Sequence, residues 1–219
     1  MPDWIAPVAL YMAKGLVVTL QLSLICSAVS VGLGTLLGLL MIPDVKALRR
    51  TVRLYIELWR GLPLIVILFF VFFALPAIGL RLSPMVSAGV GLSLWGSAVI
   101  ADNVRGAIES IPKGQFEAAH TLGLSWIKTM WLVILPQATR RLIPPTLNLL
   151  TSLIHGTSLA AQLGALELLE ASRRSIQRLL LDVGNSHALE IFGAVLLVYF
   201  LICYPVILLS RWLERRLQL

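Results

Sequence analysis

Five long runs of apolar residues divide this sequence, and polar or charged segments separate them. A helix needs roughly 20 mostly apolar residues to cross the hydrocarbon core of a bilayer. The pattern therefore predicts an all-α integral membrane protein with a single transmembrane domain over residues 1–219. The predicted spans cover residues 15–42, 61–80, 82–101, 142–162 and 188–210.

Lysine and arginine are distributed unevenly over the segments between these runs. If the N-terminus lies outside, segments 43–60 and 102–141 and the C-terminal tail face the cytoplasm, and they hold 5, 5 and 3 of the 18 basic residues. The outer segments hold the remaining 5. Cytoplasmic loops of membrane proteins carry an excess of Lys and Arg. We therefore expect a multi-pass protein with its N-terminus outside and its C-terminus in the cytoplasm.

The composition supports a membrane protein and excludes other classes. Hydrophobic residues make up 58% of the chain and charged residues only 13%, whereas soluble domains are about a quarter charged. The net charge of +7 is explained by basic cytoplasmic loops, and no basic-aromatic interleaving or zinc spacing indicates a nucleic-acid partner. Cys26 and Cys203 lie inside apolar runs, so we expect neither a disulfide nor a metal site.

Small residues recur in the first and third runs, among them Gly34, Gly38 and Gly96. Such residues let helix backbones approach closely in lipid, which predicts a helical bundle. Segment 163–187 is amphipathic, with leucines and Ile176 in an approximate helical stripe. We expect it to form a helix at the outer membrane surface, where it contacts either a partner protein or lipid alone.

Polar residues in the middle of the fourth run are candidates for a substrate pathway, because polar groups at membrane depth are costly and often functional. Gly156 follows His155, so the helix could break here and free backbone groups to bind a zwitterion. The alternative for each Ser and Thr is a hydrogen bond to its own helix. The pathway candidates are Asn148, Ser152, His155, Thr157 and Ser158, with Ser93 and Trp95 at similar depth in the third run.

The segment over residues 104–137 is too polar to be a span, yet it contains helix formers and apolar residues. Its central sequence, "EAAHTLGLSWIKTMWLVILPQ", predicts a short helix that ends at Gly123 and a second one that Ser125 caps and Pro136 ends. Apolar residues such as Leu122 and Trp131 require something to pack against. They lie either on lipid or against a soluble cytoplasmic partner.

This segment resembles the EAA loop in permease subunits of ATP-binding-cassette importers. Glu117, Ala118, Ala119, Gly123 and Pro136 are in register with that pattern, which is EAA, three residues, Gly, nine residues and Ile-x-Leu-Pro. Further stretches over about 55–215 resemble the polar amino-acid subfamily, including "RGLPLIVILFF", "ILPQATRRLIPPTLN" and "GTSLAAQLGALEL". The sequence departs from the subfamily at Leu62, Ile67 and His155–Gly156, where Thr, Gln and Lys-Asp are usual; these changes bear on the substrate rather than the fold.

The resemblance implies the type I importer permease fold in a bacterial inner (plasma) membrane, with five transmembrane helices and a cytoplasmic coupling helix. It also implies partners: a second permease subunit, identical or different, two ATP-binding subunits and an extracytoplasmic binding protein that delivers an amino acid. No cofactor is expected in this chain, because ATP and Mg²⁺ belong to the ATPase subunits. The residues implied in ATPase coupling are Glu117, Ala118, Ala119, Thr121, Leu122 and Gly123.

Two other functional classes agree less well with the sequence than an importer permease does. A standalone secondary transporter or channel for small polar solutes is the alternative, but five spans without internal symmetry form a poor independent pathway. An embedded enzyme is disfavoured because the three histidines are dispersed and no nucleophile-base pair is apparent. No G-x-x-x-x-G-K-[ST] sequence is present, so we expect ATP hydrolysis on a separate polypeptide.

Overall fold

The computed structural model describes residues 3–43 and 45–217, and this part of the chain folds into helices joined by short connections. The two ends of the predicted domain 1–219 and residue 44 of segment 43–60 lie outside the described residues. The helices are α1 (Ile5–Leu40), α2 (Lys46–Gly61), α3 (Leu64–Phe69), α4 (Pro84–Glu109), α5 (Lys113–Thr121), α6 (Trp126–Thr129), α7 (Leu135–Thr157), α8 (Leu168–Val183) and α9 (Ala188–Arg216).

Helices α1 and α4 form the centre of the bundle and run parallel to each other. A Cβ built on Gly34 would lie 2.5 Å from the carbonyl oxygen of Ser97, and one on Gly38 would lie 2.5 Å from the Cβ of Val104. Later residues of α1 therefore contact later residues of α4, which shows that the two helices run in the same direction. The two glycines allow the close approach that the sequence predicts.

Helices α7 and α9 complete the bundle in opposite directions. Gly156 of α7 lies beside Leu92 of α4, whereas Arg141, at the start of α7, bonds to Ser110 at the end of α4. Ser210 near the end of α9 donates a hydrogen bond to the Pro144 carbonyl at 3.3 Å. The C-terminal ends of α1, α4 and α9 thus lie at the same end of the bundle as α5. We call this the α5 end.

The fourth apolar run is more continuous than the sequence predicts. From Trp126 to Leu163 the chain is helical throughout, with a π-helical turn at Met130–Ile134 and a 3₁₀ turn at Ser158–Leu163. The prediction that Pro136 ends a helix is wrong, because the π turn already alters the regular hydrogen bonding just before it. Pro144 and Pro145 also lie inside α7, whose packing on α4 and α9 offsets their local cost.

The predicted break at Gly156 is also wrong. Helix α7 continues through this residue, and the chain leaves the helical conformation only at Gly164, which has φ +83°. Gly156 is buried, and a Cβ there would lie 2.8 Å from Leu92 and 3.1 Å from Leu64. The glycine therefore serves close packing of helices.

The amphipathic helix expected within 163–187 is present as α8, and it packs against the bundle. Leu168 and Leu179 of α8 are buried together with Met12 of α1 and Ile191 of α9. A Cβ on Gly15 of α1 would lie 2.8 Å from Ala171. The apolar stripe is thus covered by α1 and α9, while the polar side of α8 remains exposed.

Only three described helices, α1, α4 and α9, are individually long and apolar enough to cross a membrane. The total reaches five if each of two bent helix pairs is one span. One pair joins Trp126–Leu163 to Leu168–Asp182 with a bend of 45°. The other joins α2 to the helical stretch Leu64–Ile78 with a bend of 103°. Most of the predicted basic loop 43–60 is thus the amphipathic helix α2.

Candidate functional site

The helix break in the segment 104–137 has a well-defined geometry. Helix α5 ends in a hydrogen-bonded turn in which the N–H of Leu124 bonds to the Ala119 carbonyl and the N–H of Gly123 bonds to the His120 carbonyl. Gly123 has φ +72°, a conformation that glycine adopts without strain. These are the bonds of a Schellman motif. Ser125 begins the next helix as predicted, but its side chain makes no capping hydrogen bond.

The predicted coupling residues present an exposed surface at the α5 end. Of these six residues, only Ala119 is buried, and Leu122 is 79% exposed. Thr121 uses its hydroxyl to bond the Glu117 carbonyl within α5. Large apolar side chains extend the surface beyond α5. We call these the apolar patch: Leu122, Trp126, Ile127, Trp131 and Leu132, all more than half exposed.

The segment beneath this surface is fixed to the bundle. Phe116 and the buried residues Met130 and Ile134 pack in a cluster with the end of α4. The guanidinium of Arg141 donates to the carbonyl and to the hydroxyl of Ser110, at 2.7 and 2.8 Å. A force applied to α5 would therefore reach both α4 and α7.

Three of the predicted pathway residues share one exposed face of α7. Asn148, Ser152 and His155 follow each other at spacings of four and three, which places their side chains on one side of a helix. All three are exposed in the isolated chain. The Ser152 hydroxyl donates a hydrogen bond to the Asn148 carbonyl of the same helix. Ser152 therefore shows the internal bonding that is the alternative to a role in the pathway.

The other four predicted pathway residues do not join this face. Thr157 is fully buried and bonds the Ile154 carbonyl at 2.7 Å, and Ser158 bonds the His155 carbonyl at 2.6 Å. Ser93 is a neighbour of Cys26 on α1. Trp95 is partly buried and packs against the main apolar core. Thr157 is thus enclosed by protein, whereas Ser93, Trp95 and Ser158 are partly buried.

A polar cluster centred on Glu167 was not singled out by the sequence. Glu167 is fully buried, and its Oε2 accepts hydrogen bonds from Tyr199 at 3.1 Å and from Thr19 at 3.4 Å. Its Oε1 accepts the backbone N–H of Glu170 at 2.8 Å and so caps α8. The cluster joins α1, α8 and α9. The signal available was an isolated Glu in the apolar stretch "LGALELL".

An ion-pair network links α2 to the end of α4. Asp102 pairs with Arg105 at 2.8 Å, and Arg105 also pairs with Glu109 at 2.6 Å. Asp102 additionally pairs with Arg60 of α2. Arg60 therefore reaches across from α2 to α4.

The sequence as a whole identifies the family. Residues 30–219 match the family described as "Binding-protein-dependent transport system inner membrane component". The chain belongs to this family. It is 35% identical over 206 residues to the probable glutamine ABC transporter permease GlnP of Bacillus subtilis (strain 168), covering 94% of this chain and 93% of that one.

Other relatives are similar over comparable lengths. The glutamine transport system permease GlnP of Escherichia coli (strain K12) is 35% identical over 221 residues, covering 99% of this chain and 98% of that protein. The L-cystine transport system permease TcyB of Bacillus subtilis (strain 168) is 35% identical over 207 residues, covering 94% and 86%.

Solved structures show the same fold. A chain of an amino acid ABC transporter crystallised with histidines superposes with a TM-score of 0.87 at 24% identity, over 99% of both chains. A chain of the inward-facing methionine transporter MetNI superposes with a TM-score of 0.77 at 20% identity, again over 99% of both. The prediction of a type I importer permease fold is confirmed.

Membership of the family decides between the functional classes. The chain is an inner membrane permease subunit of an ABC importer, and the alternative of a standalone secondary transporter is not supported. The family is a transport component rather than an enzyme, in agreement with the prediction. Transport systems of this family depend on a binding protein, and an ABC system also contains ATPase subunits.

Proposed function

We propose that this chain forms half of the translocation pathway in an ATP-driven uptake system for a polar amino acid. The observation that carries the proposal is that the exposed helix α5 is packed onto α4 and α7, and that α7 carries an exposed polar face. The relatives named for glutamine and L-cystine favour a polar amino acid as the substrate. A second permease subunit, identical or different, would supply the other half of the pathway.

The proposed orientation places the α5 end in the cytoplasm and the N-terminus outside. The basic segments 43–60 and 102–141 and the C-terminal tail all belong to this end, because α1, α4 and α9 end here. The excess of Lys and Arg in these segments supports a cytoplasmic location. The ATPase subunits would then meet α5 on the side where ATP is available.

Coupling in this proposal is mechanical. Helix α5, with Leu122 of the apolar patch, enters a groove on an ATPase subunit, and closure of two ATPase subunits on ATP moves α5. Exposed Glu117 is available to pair with a basic group of the ATPase or to accept a hydrogen bond from a nearby amide. Because Phe116 and Arg141 tie the segment to α4 and α7, movement of α5 is transmitted to the helix that carries the polar face.

The proposed pathway runs along the α7 face formed by Asn148, Ser152 and His155. An amide, a hydroxyl and an imidazole can together donate to and accept from the carboxylate and ammonium groups of an amino acid. These side chains are exposed in the single chain, and a second permease subunit would enclose them in a cavity.

The experiment is to measure ATPase activity of the purified complex in lipid, with and without its binding protein, across a panel of amino acids. The proposal predicts stimulation by one chemical group of polar amino acids, and only when the binding protein is present. Stimulation by solutes of another class would refute the substrate assignment, and equal activity without the binding protein would refute the delivery step.

A further inference from the structure

Helix α2 has the orientation and the pattern of a helix that lies in the membrane interface. It makes an angle of 103° with the following stretch Leu64–Ile78, which packs against α4, so α2 lies across the direction of that stretch. Val52 and Ile56 are buried against α1 and α4, whereas Leu54 and Leu58 are exposed on another side. Such a helix places apolar residues in lipid and basic residues at headgroup level.

A cleft opens beside α2 at the α5 end of the bundle. It has a volume of about 270 Å³ and lies between the end of α1, the basic side of α2, the end of α4 and the coupling segment. Its polar wall contains Arg49, Arg53, Arg105 and Glu109. Its apolar lining includes Met41, Ile42, Ile108, Phe116, Trp126 and Met130.

The charges in the cleft are not fully compensated. Arg105 pairs with Asp102 and Glu109, and Arg49 bonds the carbonyls at the end of α1. For Arg53, no described carboxylate lies within ion-pair distance, although it lines both this cleft and a neighbouring one that Glu57 and Asp102 also line. An arginine that forms no ion pair with a described residue, above an apolar lining, is complementary to an anion that carries an apolar chain.

We propose that this cleft binds the headgroup of an anionic phospholipid from the cytoplasmic leaflet. The phosphate lies at Arg53, the apolar lining receives the glycerol and proximal chain carbons, and the acyl chains continue past Leu54 and Leu58 into the bilayer. The leaflet follows from the proposed orientation of the chain, but the lipid contact itself does not depend on the transported substrate.

Because of the position of the cleft, a bound lipid would contact the coupling segment. Phe116 and Trp126 form part of its lining, and both belong to the segment that carries the coupling surface. A bound lipid would therefore fill space between the interfacial helix and that segment. Anionic lipid should support the coupling of ATP hydrolysis to transport better than zwitterionic lipid of the same chain length.

The test is native mass spectrometry of the detergent-solubilised complex, titrated with phosphatidylglycerol or phosphatidylcholine. Arg53→Gln is compared with Arg50→Gln, which removes the same charge from an exposed residue of α2 that is not among those lining the cleft. One basic group contributes about 1 kcal/mol to anionic-lipid binding, which is about a fivefold change in affinity. We expect Arg53→Gln to weaken phosphatidylglycerol binding about fivefold, Arg50→Gln less than twofold, and phosphatidylcholine binding to be unchanged by either.

Several results would overturn the proposal. Equal losses in the two variants would show diffuse attraction to a basic helix, and no loss in either would show that the cleft holds no anionic lipid. Displacement of the lipid by millimolar inorganic phosphate would indicate a site for a free anion. Loss of the ATPase subunits from Arg53→Gln with unchanged lipid binding would assign the cleft to the protein interface.

Arg53→Lys, which keeps the charge, should retain most of the binding.

Discussion

Individual residues in this bundle are constrained mainly by contact between helices. At Gly34 a Cβ would lie 2.5 Å from a backbone oxygen and 2.6 Å from the Cβ of Ile100, distances that a small side-chain adjustment does not relieve. Gly32, two residues earlier, has open space around it. Two glycines of one helix therefore have different roles.

Gly34→Ala should lower the stability of the folded protein by about 1–3 kcal/mol, because α1 and α4 must move apart. Gly32→Ala is the matched control and should leave stability unchanged within about 0.5 kcal/mol or raise it slightly. Thermal unfolding of both variants in the same detergent measures the difference. Equal unfolding temperatures would contradict the close approach of α1 and α4.

The Glu167 cluster is the second residue-scale constraint, because it holds three helices together through one carboxylate. Glu167→Ala would leave the buried hydroxyls of Thr19 and Tyr199 without this acceptor and would remove the cap of α8. Each loss of this kind costs about 1–3 kcal/mol. We expect a larger fall in unfolding temperature for Glu167→Ala than for Tyr199→Phe, which removes only one of the bonds. The reverse order would contradict the assignment of Glu167 as the centre of the cluster.

At the scale of elements, the coupling segment is a short helix ended by a left-handed glycine and fixed beneath by an apolar cluster. The segment therefore presents an exposed surface while its other side is packed against the bundle. The sequence predicts α5, the turn at Gly123 and the start at Ser125, because these depend on local backbone preferences. It does not predict passage of the helix through Pro136 or Pro144, since packing on α4 and α9 offsets the local cost of a proline.

Gly123→Asp should weaken docking of the ATPase subunits while the bundle stays folded. The change imposes a side chain on a residue with φ +72° and adds a charge to the docking surface. Gly106→Asp is the control, because it adds the same charge to an exposed residue of α4, outside α5, with ordinary φ. Co-purification of ATPase subunits should fall at least about fivefold, corresponding to about 1 kcal/mol, for Gly123→Asp only. Equal co-purification for both variants would refute the coupling role of this turn.

The polar face of α7 is the second element with a proposed function. His155→Ala should change the uptake kinetics of the assembled transporter more than its assembly, because His155 is exposed on that face and not part of the described core. Thr157→Val, in the same turn but buried, should affect stability rather than the apparent affinity for substrate. Uptake measured in proteoliposomes, with the assembled amount determined in parallel, separates the two effects. Unchanged kinetics in His155→Ala would reduce this residue to a packing role.

At the scale of the whole molecule, the fold class and family could be predicted because apolar runs, basic segments and the EAA pattern are all local in sequence. The surroundings of individual buried residues could not be predicted, since they depend on which helix faces pack together. Gly156 illustrates the difference: its sequence context suggests a break, but Leu92 and Leu64 turn it into a packing residue. Likewise, Glu167 becomes notable only when Thr19 and Tyr199 are brought beside it.

In the proposed orientation, ATP hydrolysis and delivery of the substrate take place at opposite ends of the bundle. The α5 end carries the docking surface and the basic segments, and the other end carries the connection between α8 and α9. Transport should therefore require ATP on the side of α5 and the binding protein on the other side.

The most direct test of the central claim is uptake of a labelled polar amino acid into proteoliposomes that contain the complete complex. ATP is enclosed in the lumen, and the binding protein is added outside. The account predicts uptake that requires both components and stops when non-hydrolysable ATP analogue replaces ATP. Uptake that proceeds without ATP and follows an imposed ion gradient would contradict the account and assign this chain to a secondary transporter.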